Sequence, residues 1–289
     1  MSRRREIEEH IRAISEIRDI MSAMKNLALT ETHKLTRAFS AQQRVVHNFE
    51  AAASDLLRFH PELSLEVSGT NVYLVIGSER GFCGDYNGAL LSALDRHCQA
   101  VGERDPFVVI VGRKLSARVA GERRAVVALD GPSVAEEVQP ALTQLMDRLK
   151  ELQHQRQLHQ GLVLTVVYHE AGRDEIIIRP LQPGRPSMEA PPPFTYPPFL
   201  NLTPAAFLTD WIDLYLLALL HEVFYSALMA ENRARLQHLQ GALERIDRDT
   251  EEMRLRRNML RQEEITEEIE VIMLSAEGKR VVLKRERSR

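Results

Sequence analysis

Cysteine is scarce in this sequence. The 289 residues hold two, Cys83 and Cys98, too few for a disulfide framework and without metal-site spacing. Two free thiols suit a reducing compartment. Neither sign of charge dominates, the formal net charge being -3, and that near-neutral balance argues against bulk nucleic-acid binding. Long apolar runs are missing as well. The most hydrophobic, Trp211 to Leu220, is ten residues long and contains Asp213, too short to span a bilayer. The first residues, Met1-Ser2-Arg3-Arg4-Arg5-Glu6, lead into charge and not into the apolar core of a signal peptide. A soluble chain is expected, either free or part of a membrane-attached assembly, with length for one or two domains.

Two stretches are nearly empty of helix breakers. From Thr203 to Ala276 there is no Pro after Pro204, no Gly between Pro204 and Gly241, and then none until Gly278, where a helix can end. Its apolar residues Leu236, Leu239, Leu243 and Ile246 step by three and four, as a coiled-coil seam does. Met253, Leu260, Ile265, Ile269 and Ile272 follow. Thr250 and Arg257 weaken the seam, and the step from Leu260 to Ile265 shifts its phase. Such a helix is on the order of 100 Å long. From Arg3 to about Phe59 there is again no Gly or Pro until Pro61. Ile7, Ile11, Ile14, Ile17, Met21, Met24, Leu27 and Ala28 line one side, continued by Leu35, Ala38, Gln42, Val45, Phe49, Ala52 and Leu56. This predicts a second helix of roughly 85 Å. An amphipathic helix in a bundle would explain either one alone. Two of them at opposite ends of a chain favour an antiparallel coiled coil.

The middle has another texture. Asn71 to Ile76 and Phe107 to Val111, each followed by Gly, read as buried strands, as do stretches near Ala125–Leu129, Leu162–Tyr168 and Glu175–Leu181. Helical patterns alternate with them, through Leu90, Leu91 and Leu94, from Lys114, and to about Gln157. Ser133 and Glu136 have capping-box spacing ahead of the last. Alternation of this kind predicts a mostly parallel sheet covered by helices. The expected fold is therefore α/β plus coiled coil, with a Rossmann-like α/β domain inserted between long N- and C-terminal helices. Its boundaries are residues 1–60 for the first helix and 61–200 for the α/β domain, with a Pro-rich surface excursion at 183–198. Residues 201–278 form the second helix, starting at Thr203-Pro204, and 279–289 a basic tail.

Candidate chemistry is sparse. Gly77, Gly81 and Gly84 follow the first strand, but their spacing fits neither the dinucleotide fingerprint nor the P-loop. A tight strand-to-helix turn explains them better than a phosphate site. Cys83 has no His beside it in sequence to activate it. His154 and His159 lie five apart, off the spacing that places two ligands on one helix face. The run Arg254, Arg256, Arg257, Arg261, Gln262, Glu263, Glu264, Glu267, Glu268 and Glu270 reads as a solvated face or, with apolar residues on several sides of the helix, as a segment inserted into a partner. No cofactor, metal, nucleic acid or small-molecule substrate is expected.

Three stretches together resemble the gamma subunit of the F-type ATP synthase. Ile20-Met21-Ser22-Ala23-Met24-Lys25-Asn26-Leu27 is similar to that family's Ile-Thr-Lys-Ala-Met segment. Gly77-Ser78-Glu79-Arg80-Gly81-Phe82-Cys83-Gly84, with Asn87, is similar to its Ser-Asp-Arg-Gly-Leu-Cys-Gly turn. Glu231-Asn232 with Arg235 matches its Ser-Glu-His/Asn…Arg-Met pattern, and Arg261-Gln262…Ile265-Thr266…Glu268-Ile269 its Arg-Gln…Ile-Thr…Glu-Leu/Ile run. Ser22, Ala230 and Leu236 depart from the pattern, the Pro-rich excursion is unusual, and the tail runs past the customary end. These departures resemble a divergent branch, such as the alternative, sodium-type ATPases of some bacteria.

The resemblance implies a central rotor shaft. The terminal helices would wind together inside the ring of alternating alpha and beta subunits, and the α/β domain would stand as a foot on the epsilon subunit and the membrane c-ring, at the cytoplasmic face of the inner membrane. It also implies a non-catalytic subunit coupling ion translocation to ATP synthesis or hydrolysis. Met24, Lys25, Arg261, Gln262, Glu231 and Arg235 would touch partners, and Gly81, Cys83 and Gly84 would shape the foot. The other reading is a coiled-coil scaffold with an α/β head that binds partners without rotating.

Overall fold

Helix α1, Arg3–Phe59, forms where breakers are absent and stops where Pro61 disfavours helical backbone at the residue before it. The His60 N–H still reaches the Leu56 carbonyl at 2.9 Å. A computed structural model describes residues 3–63, 69–120, 126–155, 162–173, 175–182, 196–197 and 199–286. The Pro-rich stretch lies almost wholly outside these residues, as does His159. The elements after α1 are β1 Thr70–Ile76, α2 Tyr86–Val101, β2 Phe107–Val111, α3 Arg113–Val119, β3 Val126–Leu129, a 3-10 turn Ala135–Glu137, α4 Val138–Gln155, β4 Leu162–His169, β5 Ile176–Pro180 and α5 Pro204–Glu286.

The five strands form one sheet in the order β3-β2-β1-β4-β5. All neighbours are parallel except β4 and β5, which are antiparallel. The short apolar runs are explained by burial on both faces. On β1, Val72, Leu74 and Ile76 join Val109, Val111, Val166 and Tyr168 in a core with residues of α1, α4 and α5. Tyr73 and Val75 join Val108, Ile110 and Val167 in a second core with Leu90, Leu94 and Cys98 of α2 and Leu115 and Val119 of α3. The two-residue period of the strand sorts these side chains to opposite faces.

Two compact units are present, Met1–Asn26 with Leu239–Arg289, and Leu27–His238. In the larger one, the apolar part of α5 lines the first core through Trp211, Tyr215, Leu219, Leu220, Val223 and Phe224. By length and composition this helix is apolar enough to cross a membrane; burial in that core accounts for much of its apolarity. In the smaller unit the two helical segments run antiparallel. Arg18 Nε lies 2.6 Å from Asp247 and Arg4 Nε 3.2 Å from Glu264.

Several expectations shift by a residue. On α1 Met21, Ala28, Leu35 and Leu56 are covered as expected, but Val46 and Ala53 are covered in place of Val45 and Ala52, and Ile17 and Leu27 are exposed. Apolar residues flank the buried line on both sides, so neighbours compete for the same assignment. On α5 the covered line runs Leu239, Leu243, Ile246, Thr250, Met253, Arg257, Leu260 and Glu264 without a change of phase. Glu264 takes the place expected of Ile265, which is exposed. The helix also continues through Gly278 to Glu286. Glycine costs a helix about 1 kcal/mol, and with no Pro after it the helix propagates. Ahead of α4, the Ser133 N–H is taken by Glu137 at 2.6 Å and not by Glu136, because a 3-10 turn intervenes. Thr203 caps α5 as its sequence suggests, its Oγ1 accepting the Ala206 N–H at 3.4 Å.

Candidate functional site: the glycine-rich turn and its buried charges

Where β1 ends, the chain must turn within a few ångströms of β2. A Cβ on Gly77 would lie 2.4 Å from Leu115 Cβ, and one on Gly112, at φ 118°, would lie 2.8 Å from the Gly77 carbonyl oxygen. Only glycine lets these two strand ends approach so closely. Ser78 N–H then donates to Asn87 Oδ1 at 2.9 Å, and Asn87 Nδ2 returns a bond to Ser78 Oγ at 2.8 Å. The turn finishes with Phe82 at φ 63° and Gly84 at φ 62°. A left-handed backbone is uncommon for an aromatic residue, and here its side chain is 50% exposed. A Cβ on Gly81 would make only ordinary contact, with Lys114 Cε at 3.8 Å.

The backbone N–H groups of this turn do hold an anion, and it belongs to the chain. Glu231 of α5 accepts the N–H of Glu79 and that of Arg80, each at 3.2 Å. Arg235, one helical turn on, pairs with the same carboxylate. Its Nε donates to the Gly81 carbonyl at 3.1 Å, its Nη1 to Asn232 Oδ1 at 2.7 Å, and its Nη2 lies 3.5 Å from Cys83 Sγ. Glu231 and Arg235 are 3% and 4% exposed. The resemblance placed them among partner contacts; their bonds are instead made within the chain. Burial raises the Glu231 carboxyl, opposed by the Arg235 guanidinium and the two N–H groups. Such a charge is tolerable inside only when paired and hydrogen-bonded, and this one is both.

Glu79 is the second centre. Its carboxylate pairs with the Arg113 guanidinium and accepts the backbone N–H groups of Arg113 at 2.9 Å and Gly131 at 2.8 Å. One side chain thereby ties the ends of β1, β2 and β3, while its own N–H goes to α5. Tyr86 OH donates to the Ala227 carbonyl at 3.1 Å, and Ser226 Oγ accepts the Ala171 N–H at 2.8 Å. Sequence reasoning singled out Gly81, Cys83, Gly84, Glu231 and Arg235, which the structure brings together. Glu79, Asn87 and Asn232 entered it only as members of the resembling stretches, without a role, and Arg113 and Tyr86 not at all. For Glu231 and Arg235 the signal was the resemblance to the family's C-terminal pattern; Glu79 lay in the resembling turn, where nothing pointed to its partners. Cys83 is buried, which pushes its thiol up to about 12, with Arg235 pulling the other way. That is the reverse of an activated nucleophile.

Met24 and Lys25 are half-buried on α1 and Arg261 and Gln262 exposed on α5, all within the smaller unit. On α5, Leu255, Met259, Ile269, Ile272 and Met273 are more than half exposed and Ile265 nearly so. At 100° per residue these six share an arc of about 140°, opposite the line that is covered; Val271, also exposed, lies on the other side. Gln262 falls inside that arc and Arg261 at its edge.

A family model described as ATP synthase matches residues 3–278, and the chain belongs to that family. Among its relatives is the ATP synthase gamma chain of Methylacidiphilum infernorum, 25% identical over 297 residues that cover 93% of this chain and 96% of the relative. That of Clostridium botulinum strain Langeland is 20% identical, covering 95% and 97%. A chain in the OSCP/F1/c-ring structure of Euglena gracilis mitochondrial ATP synthase shares the fold, with a TM-score of 0.58 at 16% identity, covering 93% of this chain and 92% of that one.

Proposed function

We propose that this chain is the gamma, central-stalk subunit of a rotary ATP synthase. Residues 1–60 and 201–278 form an antiparallel coiled-coil shaft, residues 61–200 a foot, and residues 279–289 a basic tail. The shaft stands within the ring of alpha and beta subunits, and the foot meets the epsilon subunit and the c-ring at the cytoplasmic face of the inner membrane. The chain's part in the reaction is mechanical. A turning, asymmetric shaft presents a different face to each beta subunit, and each face biases that subunit toward one conformation. Rotor angle is then the effector and nucleotide affinity the response.

The observation that carries this reading is the apolar arc of α5 from Leu255 to Met273, on the side away from its covered line. Covering six half-exposed side chains is worth on the order of 1 kcal/mol apiece, enough to favour an enclosing partner over solvent. A free-standing scaffold would solvate that side. The test is co-expression with the alpha and beta subunits. The chain should co-purify with both. Replacing Arg261 and Gln262 together with Ala should keep assembly and lower coupled hydrolysis by about ten-fold, the loss of one or two polar contacts at 1–2 kcal/mol. Failure to co-purify defeats the rotary reading, and unchanged torque and turnover defeat the role of the two residues.

A further inference from the structure

Contacts between α5 and the sheet domain, all within the unit Leu27–His238, are of two kinds. From Leu208 to Phe224 they are mainly apolar, through Trp211, Tyr215, Leu219 and Val223, with a His221–Gln139 hydrogen bond at 2.6 Å and an Arg179–Glu222 ion pair at 3.9 Å beside them. From Ser226 to Arg235 directional bonds are added to the packing of Ala227, Leu228, Ala230 and Ala234. Ser226 takes the Ala171 N–H, Ala227 the Tyr86 hydroxyl, Glu231 the N–H groups of Glu79 and Arg80, and Arg235 bonds to Gly81. We propose that Glu79 and Glu231 are positioning residues that carry torque from the sheet domain into α5. The proposal rests on the rotary reading above.

The physical distinction is between burial and geometry. Apolar packing is non-directional; its interlocked side chains resist a turning helix sterically but fix no single contact angle. A hydrogen bond is lost over small displacements. Side-chain tips lie roughly 6 Å from a helix axis, so a turn of about 10° moves the Glu231 carboxylate about 1 Å. Its two bonds to the turn, already 3.2 Å long, do not survive that shift. The other end of the linkage is equally fixed. The Glu79 carboxylate holds Arg113 and Gly131, at the ends of β2 and β3, so a load on its backbone is shared by three strands. Arg235 keeps the Glu231 carboxylate aimed, through its own bonds to Gly81 and Asn232. The cluster joins residues 152 positions apart and uses one backbone segment, residues 79 to 81, as its pivot.

The experiment uses the assembled complex in inverted membrane vesicles and reads ions taken up per ATP hydrolysed. Glu79→Gln and Glu231→Gln remove one charge each with little change of shape. In both, the ratio should fall about three-fold or more, since charged hydrogen bonds are the strong ones. Glu79→Asp, which keeps the charge, should restore most of it. A loss of stability alone lowers the amount of complex and leaves the ratio untouched. Tyr86→Phe removes a directional bond without stranding a charge, and should lower the ratio by a smaller factor; it decides the matter if Glu231→Gln does not assemble. Wild-type ratios in assembled Glu79→Gln and Tyr86→Phe complexes overturn the torque path while leaving the rotary reading intact. A wild-type chain that never joins alpha and beta subunits overturns both.

Discussion

Cys83 illustrates what the buried cluster does to a single side chain. Its thiol is enclosed by the turn and by α5, within 3.5 Å of the Arg80 carbonyl and of Arg235 Nη2. Removing water disfavours the thiolate more than the guanidinium favours it, and the thiol is pushed up to about 12. An unfolded thiol titrates near 8.5. From roughly pH 9 to 12 the unfolded chain therefore gives up this proton first, and stability falls as pH rises through that window. Below it the contribution is complete. Native protein should resist iodoacetamide at Cys83 at pH 8, with labelling rising only at strongly alkaline pH or on denaturation. Mass spectrometry of the digest reads this directly, and fast labelling of the folded protein at pH 8 would contradict it. The lack of a neighbouring His already spoke against an activated Cys83, but its burial was not legible, because the enclosing group, Arg235, comes from a distant helix.

The helices of the smaller unit are unusual in what they cover. Thr250 is buried and its hydroxyl has no hydrogen-bond partner, while Arg257 and Glu264 stand at half-covered positions on the same line. Ile265 and Ile269 are left outside. A buried hydroxyl without a partner costs roughly 1–3 kcal/mol. Thr250→Val keeps the shape and removes the hydroxyl, so it should raise the stability of this helix pair by about 1 kcal/mol, seen as a higher thermal midpoint by circular dichroism. A lower midpoint would mean that the hydroxyl is satisfied. The three-and-four stepping was legible in the sequence over both helices. Its phase was legible only in part. Val45 and Val46, or Ala52 and Ala53, are equally apolar, and only a packed neighbour distinguishes them.

At the scale of the whole molecule, the arc of Leu255, Met259, Ile265, Ile269, Ile272 and Met273 is a large apolar surface for one chain to leave in water. The chain purified without partners should self-associate as its concentration rises. Replacing Ile269 and Ile272 with Ser should reduce this, as followed by sedimentation velocity, and a wild-type chain that stays monomeric at high concentration would count against an enclosed shaft.

Element type and extent followed from local rules. Long runs without Pro or Gly became α1 and most of α5, and short β-branched runs ended by Gly became strands, because the period of burial and the cost of breakers act on neighbouring residues. Partnership did not follow from them. That Glu231 answers the N–H groups of Glu79 and Arg80, that Glu79 gathers three strand ends, and that one isoleucine of α5 is covered while another faces outward all depend on residues brought together from far along the chain, and no spacing within a helix or a turn encodes which distant surface will arrive beside it.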